Sequence, residues 1–275
     1  MGIRHILEYW SRKRHCRKIL IGDYQLELDL RWKHEASYLK WASKQRQSGP
    51  IAFDTLAIQH FINPGDVVLD AGANIGFTAL YFLKCGAGEV HAFEPDPRNF
   101  RRLAQLKTRG KVRVYPEALG SKDGEVEFII SRSHNQGSTL DQRMLEKFPE
   151  VFAGSEHIKV RVYTLPSRLP DVHFDFMKID VEGAEAALLT GARTILESHP
   201  PRVILIECYD EMFDEVHDIL AGYYEHHCRL LYHKSTRKLL SVNTVSQVQR
   251  DDCFSNPPTY IYTTEPGRLD SLSSA

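Results

Sequence analysis

Residues 67–82 read VVLDAGANIGFTALYF. An apolar run closes on Asp70, small residues and an asparagine follow, and an apolar helix-length segment then begins at Phe77. This is the pattern of a strand, a tight turn and a helix. Gly72, Asn74 and Gly76 form the turn. Glycine lets the backbone approach a ligand closely, and a helix start presents unpaired N–H groups to an anionic group. Two nucleotide-like ligands suit such a turn. A dinucleotide calls for G-x-G-x-x-G around its pyrophosphate. Here the turn is D-x-G-x-N-x-G, and its leading carboxylate favours a ligand that carries a cationic ammonium group.

Outward from this unit, strands and helices alternate. Strands are expected at 67–70, 89–94, 111–115, 125–130, 174–179 and 202–208, and helices at 77–84, 97–107, 183–197 and 211–221. Two further strand candidates lie at 223–232 and 259–264. The alternation predicts a doubly wound, mostly parallel sheet with helices on both faces. Right-handed crossovers place the loops after the strands on one edge. Upstream, 19–31 alternates apolar and polar around Gly22-Asp23, a β-hairpin signal, and helices are expected at 34–47 and 51–62. We therefore divide the chain into an N-terminal helix and hairpin extension, 1–50, and an α/β domain, 51–275. A long polar insertion at 132–156, with a short helix at 140–148, interrupts the alternation in the manner of a lid or binding loop.

The second strand of the α/β unit ends in Phe93-Glu94-Pro95. An acidic residue there suits both hydroxyls of a ribose as a charge-assisted acceptor. The third strand leads into Tyr115-Pro116-Glu117-Ala118-Leu119-Gly120, residues that could flank an adenine. Together DAGANIG, FEPDP, EALG and MKIDVEGAEAALLTGA resemble the FkbM family of S-adenosylmethionine-dependent methyltransferases, over roughly residues 50–210. The resemblance implies a class I (Rossmann-like) methyltransferase fold, a seven-stranded sheet whose last strand is antiparallel. It implies S-adenosyl-L-methionine as cofactor, its methionine moiety on Asp70, Gly72, Asn74 and Gly76 with help from Thr78. Glu94 and Pro95 would then attend the ribose, and Glu117 and Ala118 the adenine. It also implies O-methylation of a sugar, glycan or polyketide-type hydroxyl. Two positions depart from the family pattern. Thr164-Leu165-Pro166-Ser167 lacks an Asp that relatives often carry, and Asp54 stands where a Glu is common.

Methyl transfer to an alcohol needs alignment and a general base. The KIDVEGAE segment supplies Asp180, Glu182 and Glu185; Asp180 ends a strand on the ligand edge, where it either faces the site or caps the next helix, and Glu185 is either a site residue or an ordinary first-turn acid. Lys178 is expected to pair with a carboxylate. Glu207 ends the next strand on the same edge. His134, Asn135 and Ser138 lie in the insertion, where they could reach over the methyl donor. We take Asp180, Glu182, Glu207 and His134 as the catalytic candidates. Phe148, Phe152, Tyr209 and Phe213 could stack on a sugar or belong to the core.

Composition bounds the alternatives. The net charge is −1, which offers no global basic field for nucleic acid. An Asn/Asp-Pro-Pro-Tyr segment typical of amino-directed base methylation is missing. No apolar run approaches the roughly 18–20 residues of a membrane span, and the N-terminus lacks a secretory h-region. Basic residues at 12–18 follow Ile3, Ile6, Leu7 and Trp10 at helical spacing, a pattern of a packing helix or of peripheral membrane contact. Five scattered cysteines read as reduced thiols in a cytoplasmic protein. Thirteen histidines invite a metal, but the densest cluster, Glu225-His226-His227-Cys228 with His233, matches no ligand spacing, so no metal is expected. Methylation of an amino group, cofactor binding without turnover and a nicotinamide dehydrogenase are the competing readings.

Overall fold

The computed structural model describes residues 15–43, 50–242 and 253–274. The amphipathic segment expected at 3–10 therefore lies outside the described residues, while the last of the basic residues enter the first strand. That strand, β1 (Cys16–Ile21), pairs antiparallel with β2 (Tyr24–Asp29) about Gly22 and Asp23. Ile19, Ile21, Leu26 and Leu28 are buried while Leu20 is 66% exposed, so one face of the hairpin packs inward. A helix at Lys33–Ala42 follows, and another at Pro50–Phe61.

The α/β unit then begins. β3 (Val67–Ala71), β4 (Glu89–Phe93) and β5 (Val112–Tyr115) are joined by helices Phe77–Lys84 and Pro97–Leu103. The short β6 (Ala118–Leu119), β7 (Gly124–Ile130) and β8 (Glu156–Tyr163) form a separate three-stranded sheet in the order β6-β8-β7. β9 (Phe176–Ile179), β10 (Val203–Glu207), β11 (His226–His233), β12 (Lys238–Val242), β13 (Cys253–Thr263) and β14 (Ser273–Ser274) complete the main sheet. Its order is β14-β12-β11-β13-β10-β9-β3-β4-β5. The strands from β5 to β10 pair in parallel, and β13 runs antiparallel to both of its neighbours.

This is the class I methyltransferase topology, with three corrections. The main sheet has nine strands rather than seven, because β12 and β14 extend its edge. The strand expected at 125–130 leaves the main sheet and pairs with β8, which begins inside the supposed insertion. The alternation of Val160 and Val162 with Arg161 and Lys159 drives β8: both valines pack on Phe128 and Ile130. The helix expected at 183–197 breaks at Ala192 into Glu185–Gly191 and Arg193–Ser198. Gly191 lies so close to the 118–121 segment that a Cβ on it would sit 2.0 Å from the Gly120 carbonyl oxygen.

Central strands are apolar throughout because both faces are covered. Val203, Ile204, Leu205 and Ile206 of β10 are all essentially buried. Ile21, Leu28, Ile58 and Phe82 share one core, which ties the N-terminal hairpin to the α/β domain. Met177, Leu188, Ile206 and Val216 belong to the other. No helix among the described residues is long and apolar enough to cross a membrane.

Candidate active site

The ends of β3, β4, β9 and β10 open on a cavity of about 410 Å³, at the carboxyl edge where an open parallel sheet places its ligands. The 71–76 turn is built on the neighbouring strand: the Gly72 and Ala73 amides donate to the Phe93 carbonyl at 3.1 and 2.9 Å. Gly72 has φ +83°, and a Cβ there would lie 1.8 Å from the Asp180 carbonyl oxygen. Only glycine permits this approach of β3 to β9. Asn74 also lies in the left-handed region, at φ +50°. Its amide donates to Glu94 Oε2 at 2.8 Å, and the Asp96 amide donates to Glu94 Oε1 at the same distance. Glu94 is 6% exposed, and burial pushes its carboxyl up to about 8. Each of its oxygens keeps a second lone pair for a ligand hydroxyl.

Gly72, Asn74, Glu94, Pro95, Glu117 and Ala118 all line the cavity. Asp70, Gly76 and Thr78, expected beside them, lie behind the wall instead. Asp70 is fully buried and accepts a hydrogen bond from Thr78 Oγ1 at 2.7 Å, with its Oδ1 left without a partner. At Gly76 a Cβ would meet the side chains of Leu106 and Leu103, so this glycine serves helix packing. Arg168 stands 3.5 Å from Glu117 Oε1 and stacks over Tyr115, while Glu117 Oε2 is buried and unpartnered.

On the other side of the cavity, Asp54, Asp180, Glu182, Glu207 and Tyr209 meet. Lys178, on β9, donates to Asp180 Oδ2 at 2.7 Å. Burial works against its ammonium, but Asp180, Asp54, Asp70 and Glu207 outweigh that and raise its pKa. Burial also raises Asp54, to about 6. Glu182 and Glu207 are both pushed up by burial and by repulsion from Asp180, Glu182 to about 8. Tyr209 donates its hydroxyl to Glu182 Oε2 at 3.2 Å. Glu182 has φ +51°, an uncommon backbone state for a side-chain-bearing residue. Thr139 holds it by donating to its carbonyl oxygen. Glu185 is set apart: its Oε1 accepts the amides of Val181 and Gly183, the capping role rather than a place on the cavity.

A strap at 134–138 covers the cavity. His134, Asn135, Gln136 and Ser138 all line it. Asn135 is the anchor. Its carbonyl accepts from Asn74 Nδ2 and Asn99 Nδ2, both at 2.8 Å, and its Nδ2 donates to Glu35 Oε1 at 3.0 Å. Glu35, fully buried, also takes both Arg102 guanidinium nitrogens, at 2.6 and 2.7 Å, and the Asp29 amide. The N-terminal helix thus delivers His34 to the cavity, with its ring centroid 6.2 Å from that of His134. Burial pulls His34 down to about 3 and lowers His134 as well, disfavouring the charged form of both rings.

Sequence reasoning missed His34, Asn99, Gln136 and Leu140 on this wall, and left Tyr209 between site and core. No local pattern marks the first four as ligand-facing. Of the other aromatics, Phe148 tilts against Tyr209 at 5.3 Å, and Phe152 and Phe213 pack in the core. Asp123 braces the 164–167 segment: its Oδ1 accepts from the Thr164 amide and the Ser167 hydroxyl, both at 2.7 Å. Among the described residues no three His, Cys, Asp or Glu side chains converge as a metal-holding group.

The residues present fit a cationic nucleoside ligand. Acceptor atoms dominate the wall, Glu94 is preset by two amides, and Glu117 and Asn135 each leave a buried oxygen without a donor. The methyltransferase FkbM domain matches residues 70–232. The 31-O-demethyl-FK506 methyltransferase FkbM of Streptomyces tacrolimicus is 29% identical over 185 residues, covering 58% of this chain and 68% of that protein. The hexuronic acid methyltransferase AglP of Haloferax volcanii is 29% identical over 136 residues, or 48% of this chain. The chain spans 52% of the length of the latter. A crystal structure of methyltransferase FkbM from Methylobacillus flagellatus is 20% identical, with a TM-score of 0.44, covering 72% of this chain and 44% of that one.

Proposed function

The chain belongs to the FkbM methyltransferase family, and from that premise we propose that it is an O-methyltransferase acting on a hydroxyl of a sugar, glycan or polyketide-like small molecule. S-adenosylmethionine is its cofactor, and when bound it supplies an activated methyl group on a good leaving group. The observation that carries this reading is the junction in one cavity of the Gly72–Asn74 turn with Glu94 on one side and the Asp180, Glu182 and Glu207 carboxylates on the other. O-methylation is also what the name of the FK506 relative describes, and a sugar acid is the substrate in the name of the other.

Each part of the chain has a task. The turn at Gly72 and Asn74 would hold the methionine moiety from its backbone, with Asp70 behind it fixing the helix start through Thr78. Glu94 would accept the ribose hydroxyls, and Glu117 with Ala118 would border the adenine. The strap at His134–Ser138 excludes water, which strengthens every polar contact inside. Orientation of the acceptor oxygen against the methyl carbon contributes about 7–11 kcal/mol of the barrier reduction in well-aligned systems. The acceptor proton passes to a carboxylate of the Glu182–Glu207 pair, both made more basic by burial and by Asp180, Glu182 up to about 8. Tyr209 fixes one oxygen of Glu182, and Lys178 fixes Asp180.

Calorimetric titration with S-adenosylmethionine, with NAD as control, tests the cofactor. Labelled methyl transfer to a panel of sugar and polyketide alcohols tests the chemistry. We expect Glu94→Gln to weaken cofactor binding, and Glu182→Gln with Glu207→Gln to abolish turnover while binding persists. A folded protein that binds NAD and not S-adenosylmethionine refutes the proposal.

A further inference from the structure

Asn99 and Asn135 also line a second cavity, of about 180 Å³. Four arginines line it. Arg98, Arg101 and Arg102 come from helix Pro97–Leu103, where i, i+3, i+4 spacing sets them on one face. Arg31 comes from the loop after β2 and brings Trp32 with it. Ion pairing within the fold uses part of this charge. Arg31 turns Nε and Nη2 to Asp29, Arg98 turns Nε and Nη2 to Asp96, and Arg102 turns both Nη atoms to Glu35. Pairing does not use the rest. Among the described residues, Nη1 of Arg31 and Nη1 of Arg98 meet no acceptor, and Arg101 has neither a hydrogen bond nor an ion pair. Asp96 and Glu35 are fully buried and lie off the cavity wall. The wall carries two carboxylates, Asp29, which Arg31 holds, and Glu27, which accepts from Cys16 Sγ at 3.6 Å. The surroundings have the same sign as the arginines. From 97 to 116 the chain holds seven lysines and arginines and no aspartate or glutamate, and Arg101, Lys107, Arg109 and Lys111 are exposed.

We propose that this second cavity is a phosphate-binding site, separate from the cofactor's, that takes a phosphate monoester or diphosphate group. Spare N–H donors of three guanidinium groups reach it from two elements distant in sequence. A phosphate has enough terminal oxygens to accept from all three, through charge-assisted bonds. Arginine's planar fork also matches phosphate oxygens in pairs. A carboxylate is satisfied by a single fork, as Asp29 is by Arg31. The size agrees: the cavity is smaller than the ~300–1,000 Å³ of sites that enclose a whole drug-sized ligand, yet it has room for one or two phosphate groups. Trp32 offers an apolar face to the carbon skeleton that bears the phosphate. The basic 97–116 stretch raises the local concentration of such an anion. The site uses no residue assigned above to the cofactor or the acceptor. A soluble phosphate ester and the headgroup of an anionic lipid share this chemistry.

Calorimetric titration of the full chain with pyrophosphate tests the soluble form, at constant ionic strength because salt screens surface charge. Flotation with vesicles of phosphatidic acid in phosphatidylcholine, against phosphatidylcholine alone, tests the lipid form. We expect saturable binding that Arg101→Gln weakens about tenfold or more, the loss of a charge-assisted contact. Arg101 has no protein partner among the described residues, so this variant should fold normally, as circular dichroism checks. Arg31→Gln weakens binding from the opposite wall, and Lys107→Gln, exposed and off the cavity, leaves it unchanged. Pyrophosphate binding without flotation identifies a soluble phosphate as the ligand, and flotation without pyrophosphate binding identifies a lipid headgroup. Binding of neither probe, binding that neither arginine variant weakens, or an equal loss in Lys107→Gln overturns the proposal.

Discussion

Glu35 is far from the chemistry, yet its replacement by alanine is predicted to disable the protein on two counts. The carboxylate is fully buried and holds four donors: two from Arg102, the Asp29 amide and the Asn135 side-chain amide. Removing one partner of a buried ion pair costs about 3–5 kcal/mol, and each orphaned neutral donor adds about 1–3 kcal/mol. Arg102 offsets part of this, since its side chain is 16% exposed and Nη2 keeps the Glu27 carbonyl at 2.7 Å. We expect a net loss of about 4 kcal/mol, or roughly 8–16 °C in Tm for a domain of this size. Urea and thermal unfolding measure it. Asn135 also loses its tie to the N-terminal helix, so cofactor affinity measured by titration should fall about tenfold, or about 1.4 kcal/mol. Glu35→Leu with Arg102→Met should recover most of the stability, because no charge is then stranded, but not the affinity. A Tm within about 3 °C of the parent, or a double variant no more stable than Glu35→Ala, refutes the reasoning.

Other expectations concern the site itself. Glu94 and Glu182 are pushed up to about 8 from an unfolded value near ~4.3. The native state therefore binds more protons between those limits, and their contribution to stability, complete below the lower value, is lost as pH rises through the upper. Urea unfolding of the ligand-free protein at a series of pH values should show stability declining over this window, and Glu94→Gln should flatten the decline. If the Glu182–Glu207 pair accepts the acceptor proton, kcat should rise with pH toward a plateau above about 8, and Glu182→Gln should remove that dependence. Lys178→Met should lower kcat and shift the pH profile upward by taking away the counter-charge of Asp180, with the profile followed by labelled methyl transfer. Gly72→Ala drives a methyl group into the Asp180 carbonyl at φ +83°, so binding and stability should both be lost; Gly124→Ala, with open space around it, should be near neutral in the same unfolding assay.

Much of the fold was legible because its signals are local. The helix at Phe77–Lys84 appears as expected, since the apolar run and the glycine-bearing turn before it need no distant partner to be read. The same holds for the hairpin about Gly22-Asp23 and for the existence of strands β3, β4 and β5. β8 shows where local reading slipped. Its alternation is plain in IKVRVY, yet its start lay within a polar segment read as a loop, and its partners come from β6 and β7 rather than the main sheet. The break at Ala192 comes beside the close approach of Gly191 to the Gly120 backbone, a contact with a segment some distance away in the chain that local reading does not reach.

The candidate site divides in the same way. Gly72, Asn74, Glu94, Glu117, Asp180, Glu182 and Glu207 could be named in advance because each ends a strand or occupies the turn after one, and parallel crossovers bring those positions to one edge. Packing alone decided that Asp70 sits behind the wall, that Glu185 caps a turn, and that Lys178 is enclosed by carboxylates. It also brought His34, Asn135 and Tyr209 to the cavity from the N-terminal helix, the strap and the loop after β10. Backbone geometry at a strand end is a property of a few consecutive residues, so the chain carries it openly. Burial, pKa and the far wall of a cavity depend on which remote segments meet there, and those are settled only when the two cores close on the sheet.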